Sequence, residues 1–181
     1  MFSGHKTYQE LKALTAELVD ENGTLRTFSQ FKDAVSSLNQ LFNVSYLQAE
    51  YNLAVASSQM AEKWTGFEKE KDTFPLLKYK TVGDAVVRDS HAALDDIIQP
   101  VDSDFWDQHY PPNGWNCRCT VTQLADGTES DVSNIPESSG MFKNNVGKTG
   151  IIFPDNHPYF KVDREDKSKV KKQIEKLKDG E

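Results

Sequence analysis

The sequence predicts an α+β fold: a helical N-terminal arm over 1–72, a small sheet-and-loop domain over 73–160, and a charged terminal helix over 161–181. Three observations predict it. Apolar residues recur at three- and four-residue steps through the first third of the chain. β-branched and aromatic runs separated by Gly, Pro and Asn turns occupy the middle. A lysine-rich run with a thin apolar stripe closes it. The 181 residues suit one compact domain with an extension.

In the arm, Tyr8, Leu11, Leu14, Leu18 and Val19 fall at helical spacing over 6–20. Asp20-Glu21-Asn22-Gly23 stops that helix, since Gly accepts a left-handed conformation cheaply. Thr27 is expected to cap a second helix without a complete capping box. Phe28, Phe31, Val35 and Leu38 share one face of it. A third helix is expected from near Ser45 to about Lys69, its stripe drawn through Leu47, Tyr51, Ala54, Ser58, Ala61 and Trp64. Such stripes ordinarily form a helical core; a docking face for a partner subunit is the functional alternative. Charges from Glu68 to Asp72 and then Pro75 end it.

Residues 76–82 read as a strand and 97–99 as a second. Between them lie one or two helical turns carrying Val87, His91 and Leu94, capped by Asp84 or Ser90. Ser103 caps a turn bearing Phe105 and Trp106. Pro111 to Trp115 form a rigid turn, and 117–123 read as a third strand. Residues 126–140 have loop composition. The segment 141–160 is expected to drape over the centre, anchored by Ile151, Ile152, Phe153, Tyr159 and Phe160. Val170, Ile174 and Leu177 form the terminal stripe.

Charge and composition narrow the function classes. A net charge of −7 argues against nucleic-acid binding by the whole chain. Weak phosphate contact by the terminal lysines is the exception. No apolar run approaches the ~20 residues of a membrane span. The start, MFSGHKTYQE, lacks the order of a signal peptide, and two cysteines one residue apart make no disulfide framework. These features point to a reducing cytoplasm. The abrupt start also fits a piece cut from a longer protein.

Chemistry-bearing residues concentrate in 79–121. Cys117, Cys119, His91 and His109 supply four ligands of the kind that tetrahedral zinc takes. On a strand, Cys117 and Cys119 point to one face and Arg118 to the other. The competing reading packs both cysteines as small hydrophobes. A cysteine nucleophile paired with His109 or Arg118, and acid–base work by His91 with Asp84, Asp89, Asp95 or Asp96, are the enzymatic alternatives. Arg88 is expected to pair with Asp84, Asp95 or Asp102. His157, between turn signals, caps or staples a loop. No phosphate loop, dinucleotide fingerprint, HExxH or GxSxG occurs.

The central stretch resembles the phage Mu F-like minor head proteins, also called phage head morphogenesis proteins. The resemblance rests on T-x-x-D at Thr81 and Asp84, then V-R-x-x-H-x-x-L-D from Val87 and Arg88 through His91 to Leu94 and Asp95. It continues with Phe105-Trp106 and with Y-P-P-x-x-W-x-C-R-C from Tyr110 through Pro111, Pro112, Trp115 and Cys117 to Arg118 and Cys119. Phe142, Asn145 and Gly147, then His157-Pro158-Tyr159-Phe160, complete it over roughly 45–160. Where the family carries Gly after Leu-Asp, this chain has Asp96. The resemblance implies a phage or prophage protein acting near the portal in head assembly or DNA packaging. It implies contact with the portal or major capsid protein, and residence in the bacterial host cytoplasm and then the virion head. A small metal- or cysteine-dependent hydrolase or nuclease, or a toxin-associated domain, is the alternative.

Overall fold

The computed structural model describes residues 2–138 and 140–179, with side chains through residue 176 of the last helix. Helices dominate and a small antiparallel sheet is embedded among them, an α+β fold. The chain forms two units, 1–48 with 155–181, and 49–154.

The first unit opens with α1, Phe2–Ala16. The Asp20–Gly23 turn follows: Asp20 Oδ1 accepts from Asn22 and Thr24 N–H groups at 2.9 Å, and Gly23 takes φ 77°. Helix α2, Phe28–Gln40, begins at Thr27 with a complete capping box. Gln30 is the missing half: its Oε1 accepts the Thr27 N–H at 2.9 Å while Thr27 Oγ1 accepts the Gln30 N–H. The expectation of an incomplete box is corrected. No residue of α1 or α2 is fully buried, and Phe28 is 81% exposed.

A π-helical stretch, Leu41–Tyr46, leads from α2 directly into α3, Leu47–Glu70, so the expected fresh start near Ser45 is replaced by continuous helix. The rest of the first unit comes from the end of the chain: a 3-10 turn at Pro158–Phe160 and a terminal helix. His157 Nδ1 accepts the Tyr159 N–H at 3.1 Å and caps that turn. Phe2 packs against the rings of His157, Tyr159 and Phe160. Ile174 is buried against Gly4, whose absent side chain makes the room; the Leu177 side chain lies outside the described residues. Tyr159 and Phe160, which the sequence suggested would drape over the centre, pack on Phe2 and His5 of the first helix.

The second unit is built on α3. Its buried face runs through Leu53, Ser57, Met60 and Trp64, with Glu50 above them. That is one position round from the expected stripe. Leu47 and Tyr51 are exposed, because two candidate seams share the helix and meet at Trp64, and Leu53 with Met60 selects the other.

Strand β1, Leu76–Lys80, lies central, between β2, Ile98–Pro100, and β3, Thr120–Leu124, both antiparallel to it. Leu77 sits opposite Gln99 on one side and Gln123 on the other; Tyr79 faces Val121. Leu77, Tyr79 and Val121 are buried in a core with Met60, Trp64, Leu94, Phe105, Trp106 and Tyr110. The third strand starts three residues later than expected, so the two cysteines precede it. Asp96 occupies a left-handed conformation, φ 64°, where an L residue is strained, and Lys78 and Lys80 reach its carboxylate at 2.8 and 3.1 Å.

Three polar groups in this core are matched, while the buried Trp64 Nε1 has no hydrogen-bond partner among the described residues. Tyr110 donates to the Met60 carbonyl at 2.8 Å, Trp106 Nε1 to the Pro100 carbonyl at 2.8 Å, and Tyr79 to Asn113 Oδ1 at 2.9 Å. Burial pushes both tyrosine hydroxyls well above their ordinary titration range. A four-residue helix at Val146–Thr149 is capped by Asn145, whose Oδ1 accepts from Gly147 N–H at 2.9 Å. Gly147 lies directly on Trp64: a Cβ there would stand 2.2 Å from Trp64 Cβ. Of the expected anchors in 141–154, Ile152 packs on the core and Ile151 is exposed.

Candidate functional site

One turn of helix and one extended segment make the site. Helix α4, Asp89–Ala92, carries His91, which is buried. Neither Asp84 nor Ser90 caps it. Arg88 stands at the cap position, and Asp84 Oδ1 instead accepts the Val86 N–H at 3.2 Å in the preceding turn. Facing α4 is the turn at 111–116. Asn113 is held from both ends, by the Tyr79 hydroxyl and by its own Nδ2 donating to the Tyr110 carbonyl at 3.3 Å. Gly114 lets the chain pass close: a Cβ there would come within 3.2 Å of the Arg88 guanidinium and 3.6 Å of His91 Cε1. Arg88 Nη2 donates to the Trp115 carbonyl at 2.7 Å, and Trp115 stands edge-on to Phe142. Asn116, at φ 54°, turns the chain into the cysteine segment.

Cys117 and Cys119 then project to one side and Arg118 to the other. Cys117 Sγ lies 3.8 Å and Cys119 Sγ 3.6 Å from the same atom, His91 Nδ1. The three ligand atoms are all within 4.8 Å of one another. Arg118 forks onto Asp84 at 2.7 and 2.8 Å, locking the segment to the turn ahead of α4 and holding the Asp84 carboxyl below its usual range. The two thiols share a proton unequally. Donation from Cys119 pulls Cys117 down to about 6, against burial, while the same contact pushes Cys119 upward.

The other residues read from the sequence go elsewhere. His109 is not part of this group. It sits on α5, Phe105–His109, stacked on Phe105, with Nδ1 3.0 Å from Ser138 Oγ. Burial, with Lys143 nearby, lowers its pKa. Trp106 is core, and Pro111 and Pro112 are buried. The carboxylates expected for Arg88 have other cations: Asp84 takes Arg118, Asp102 takes Lys71 at 2.9 Å, and Asp95 takes Lys80 at 3.2 Å. Asp95 also accepts the Thr81 N–H at 2.7 Å, and despite its burial these two contacts lower its pKa. With Asp96 on Lys78 and Lys80, three of the four carboxylates read as acid–base partners for His91 are engaged away from it.

A cleft of about 210 Å³ opens beside His91, with Arg88, Ser90, Trp115, Glu137 and Ser138 among its walls. Glu137 and Ser138 come from the polar 126–140 segment, which sequence reasoning gave no role. Only its Ser-rich polarity hinted that it lies near charged groups.

Comparison with known proteins follows the same central stretch. The family model described as Phage Mu protein F like protein matches residues 13–122. Over 75 residues the chain is 37% identical to the Putative capsid assembly protein F of Escherichia phage Mu, a match covering 41% of this chain and 17% of that protein. Over 81 residues it is 36% identical to the Mu-like prophage FluMu F protein of Haemophilus influenzae, covering 44% of this chain and 20% of that protein. The match thus spans a fifth or less of each relative's length. No solved structure gives a significant match.

Proposed function

The chain belongs to the Phage Mu protein F like family, and on that premise we propose that it acts in phage head morphogenesis through contacts with other structural proteins of the head. The observation that carries this is its similarity to a protein named for capsid assembly. Its partner is the portal or the major capsid protein. Its place is the host cytoplasm during assembly and the virion head afterwards. No helix among the described residues is long and apolar enough to cross a membrane.

The helical unit supplies the docking face. Leu11, Leu25 and Phe28 are exposed there at 57%, 74% and 81%. Exposed apolar side chains gain by being covered, at roughly 25 cal/mol per Å² removed from water.

The test is reconstitution with head components of the same phage. The chain is co-expressed separately with the portal and with the major capsid protein, and co-purification is scored. Stable association with one, reduced at least tenfold by Phe28→Ser with Leu25→Ser, supports the reading. Association with neither, by folded protein, removes it.

A further inference from the structure

We propose that His91, Cys117 and Cys119 bind one zinc ion as a tetrahedral site with water in the fourth position, and that the ion ties α4 to the segment ahead of β3. This is the one group of at least three metal-capable ligands found among the described residues. The site is independent of the head-assembly reading.

Spacing supports it first. Zinc at ~2.3 Å from sulfur and ~2.0–2.1 Å from nitrogen, with tetrahedral angles, sets sulfur and nitrogen about 3.6 Å apart. The two observed separations are 3.6 and 3.8 Å. Both sulfurs also converge on one ring nitrogen. Without an ion, that nitrogen has a single lone pair and can accept from only one S–H. An ion engages all three atoms together. Donor type selects the metal: two thiolates and an imidazole suit zinc, and are poor ligands for magnesium or calcium.

The surroundings fit as well. Cys117 and Cys119 lie two residues apart with both sulfurs near His91 Nδ1, and the Arg118–Asp84 fork holds the residue between them. Arg88 and Arg118 line the same small cavity. That cavity, about 20 Å³ and bounded by His91, Cys117 and Cys119, has room for about one water.

The full chain, purified under reducing conditions, tests this. Chelator-stripped protein is titrated with zinc against a competing chelator, and with cobalt as a spectroscopic substitute. The expected results are one zinc per chain and tetrahedral cobalt absorption with a thiolate charge-transfer band. Cys119→Ser should cut that band by about half, since one of two thiolates is lost. His91→Gln and Cys117→Ser should weaken zinc binding at least ~100-fold, beyond the loss seen when only a supporting residue is removed. His109→Gln should leave it unchanged.

Alkylation of the unaltered protein covers the case in which variants misfold. Zinc should slow modification of both cysteines at least tenfold, and magnesium should not. Absence of the thiolate band in folded protein, or alkylation rates indifferent to zinc, overturns the proposal.

Discussion

The two units use the same helical code and reach opposite outcomes. In 49–154, α3 turns Leu53, Met60 and Trp64 into a core that also holds Leu77, Tyr79 and Trp106 almost completely. In 1–48, α1 and α2 carry equally regular apolar stripes, yet no residue of either is fully buried. Periodicity thus declares a face, not what covers it. The first region is stabilised from within. The second relies on caps, ion pairs such as Lys12–Asp163, and local ring contacts around Phe2, and it leaves apolar area available.

The largest expected effect breaks the comparison at its strong side. Trp64→Ala removes a side chain only 1% exposed and should cost about 3–5 kcal/mol, read from the shift in urea midpoint. A cost under 1 kcal/mol would mean that the core is not organised on α3. Gly147→Ala tests the same contact by excess. Its Cβ would meet Trp64 at 2.2 Å, so a loss of about 2–3 kcal/mol is expected in the same assay.

Thr27→Ala moves to the other region. Removing the cap should cost about 1 kcal/mol, seen as faster amide exchange in the first turn of α2 while 49–154 is unaffected. Phe28→Ser, at an exposed position, should change stability by less than about 0.5 kcal/mol. It should nonetheless weaken capture of the head partner. An equal loss of stability would show that the α2 face is already covered.

The smallest effect is a pH dependence in the core unit. The His109 pKa is lowered by burial, so the unfolded chain takes up the proton first. Stability should therefore be full above about pH 6.5 and decline as pH falls below it. Denaturation midpoints across that range should show the decline, and His109→Gln should flatten it.

Much of this was legible from residue order. The sheet segments, the Asp20–Gly23 stop and the grouping of His91 with the two cysteines follow from spacing and turn chemistry, and the turn at Asp96 was signalled only by the glycine of the resembling family. Three features were not. The α3 face was ambiguous because Leu47–Tyr51 and Leu53–Ser57 both satisfy helical steps and both lead to Trp64, and tertiary packing of Leu53 and Met60 decides between them. His109 has the right chemistry for a ligand, but its helix aims it at Phe105 and Ser138, a direction that composition does not encode. Arg88 lost its expected carboxylate because Arg118, thirty residues on, reaches Asp84 first; non-local competition of this kind is invisible in a linear reading.

The sheet order has a consequence for biosynthesis. β1 is the middle strand, yet even its nearest pairing with β3, Lys80 with Thr120, waits for the ribosome to add the intervening residues. At typical elongation rates that is roughly 2–8 s during which a nascent Leu76-Leu77-Lys78-Tyr79-Lys80 edge stands open. The two lysines in that strand, later partners of Asp95 and Asp96, would meanwhile repel neighbouring chains on the same polysome and keep the emerging edge from pairing with a stranger.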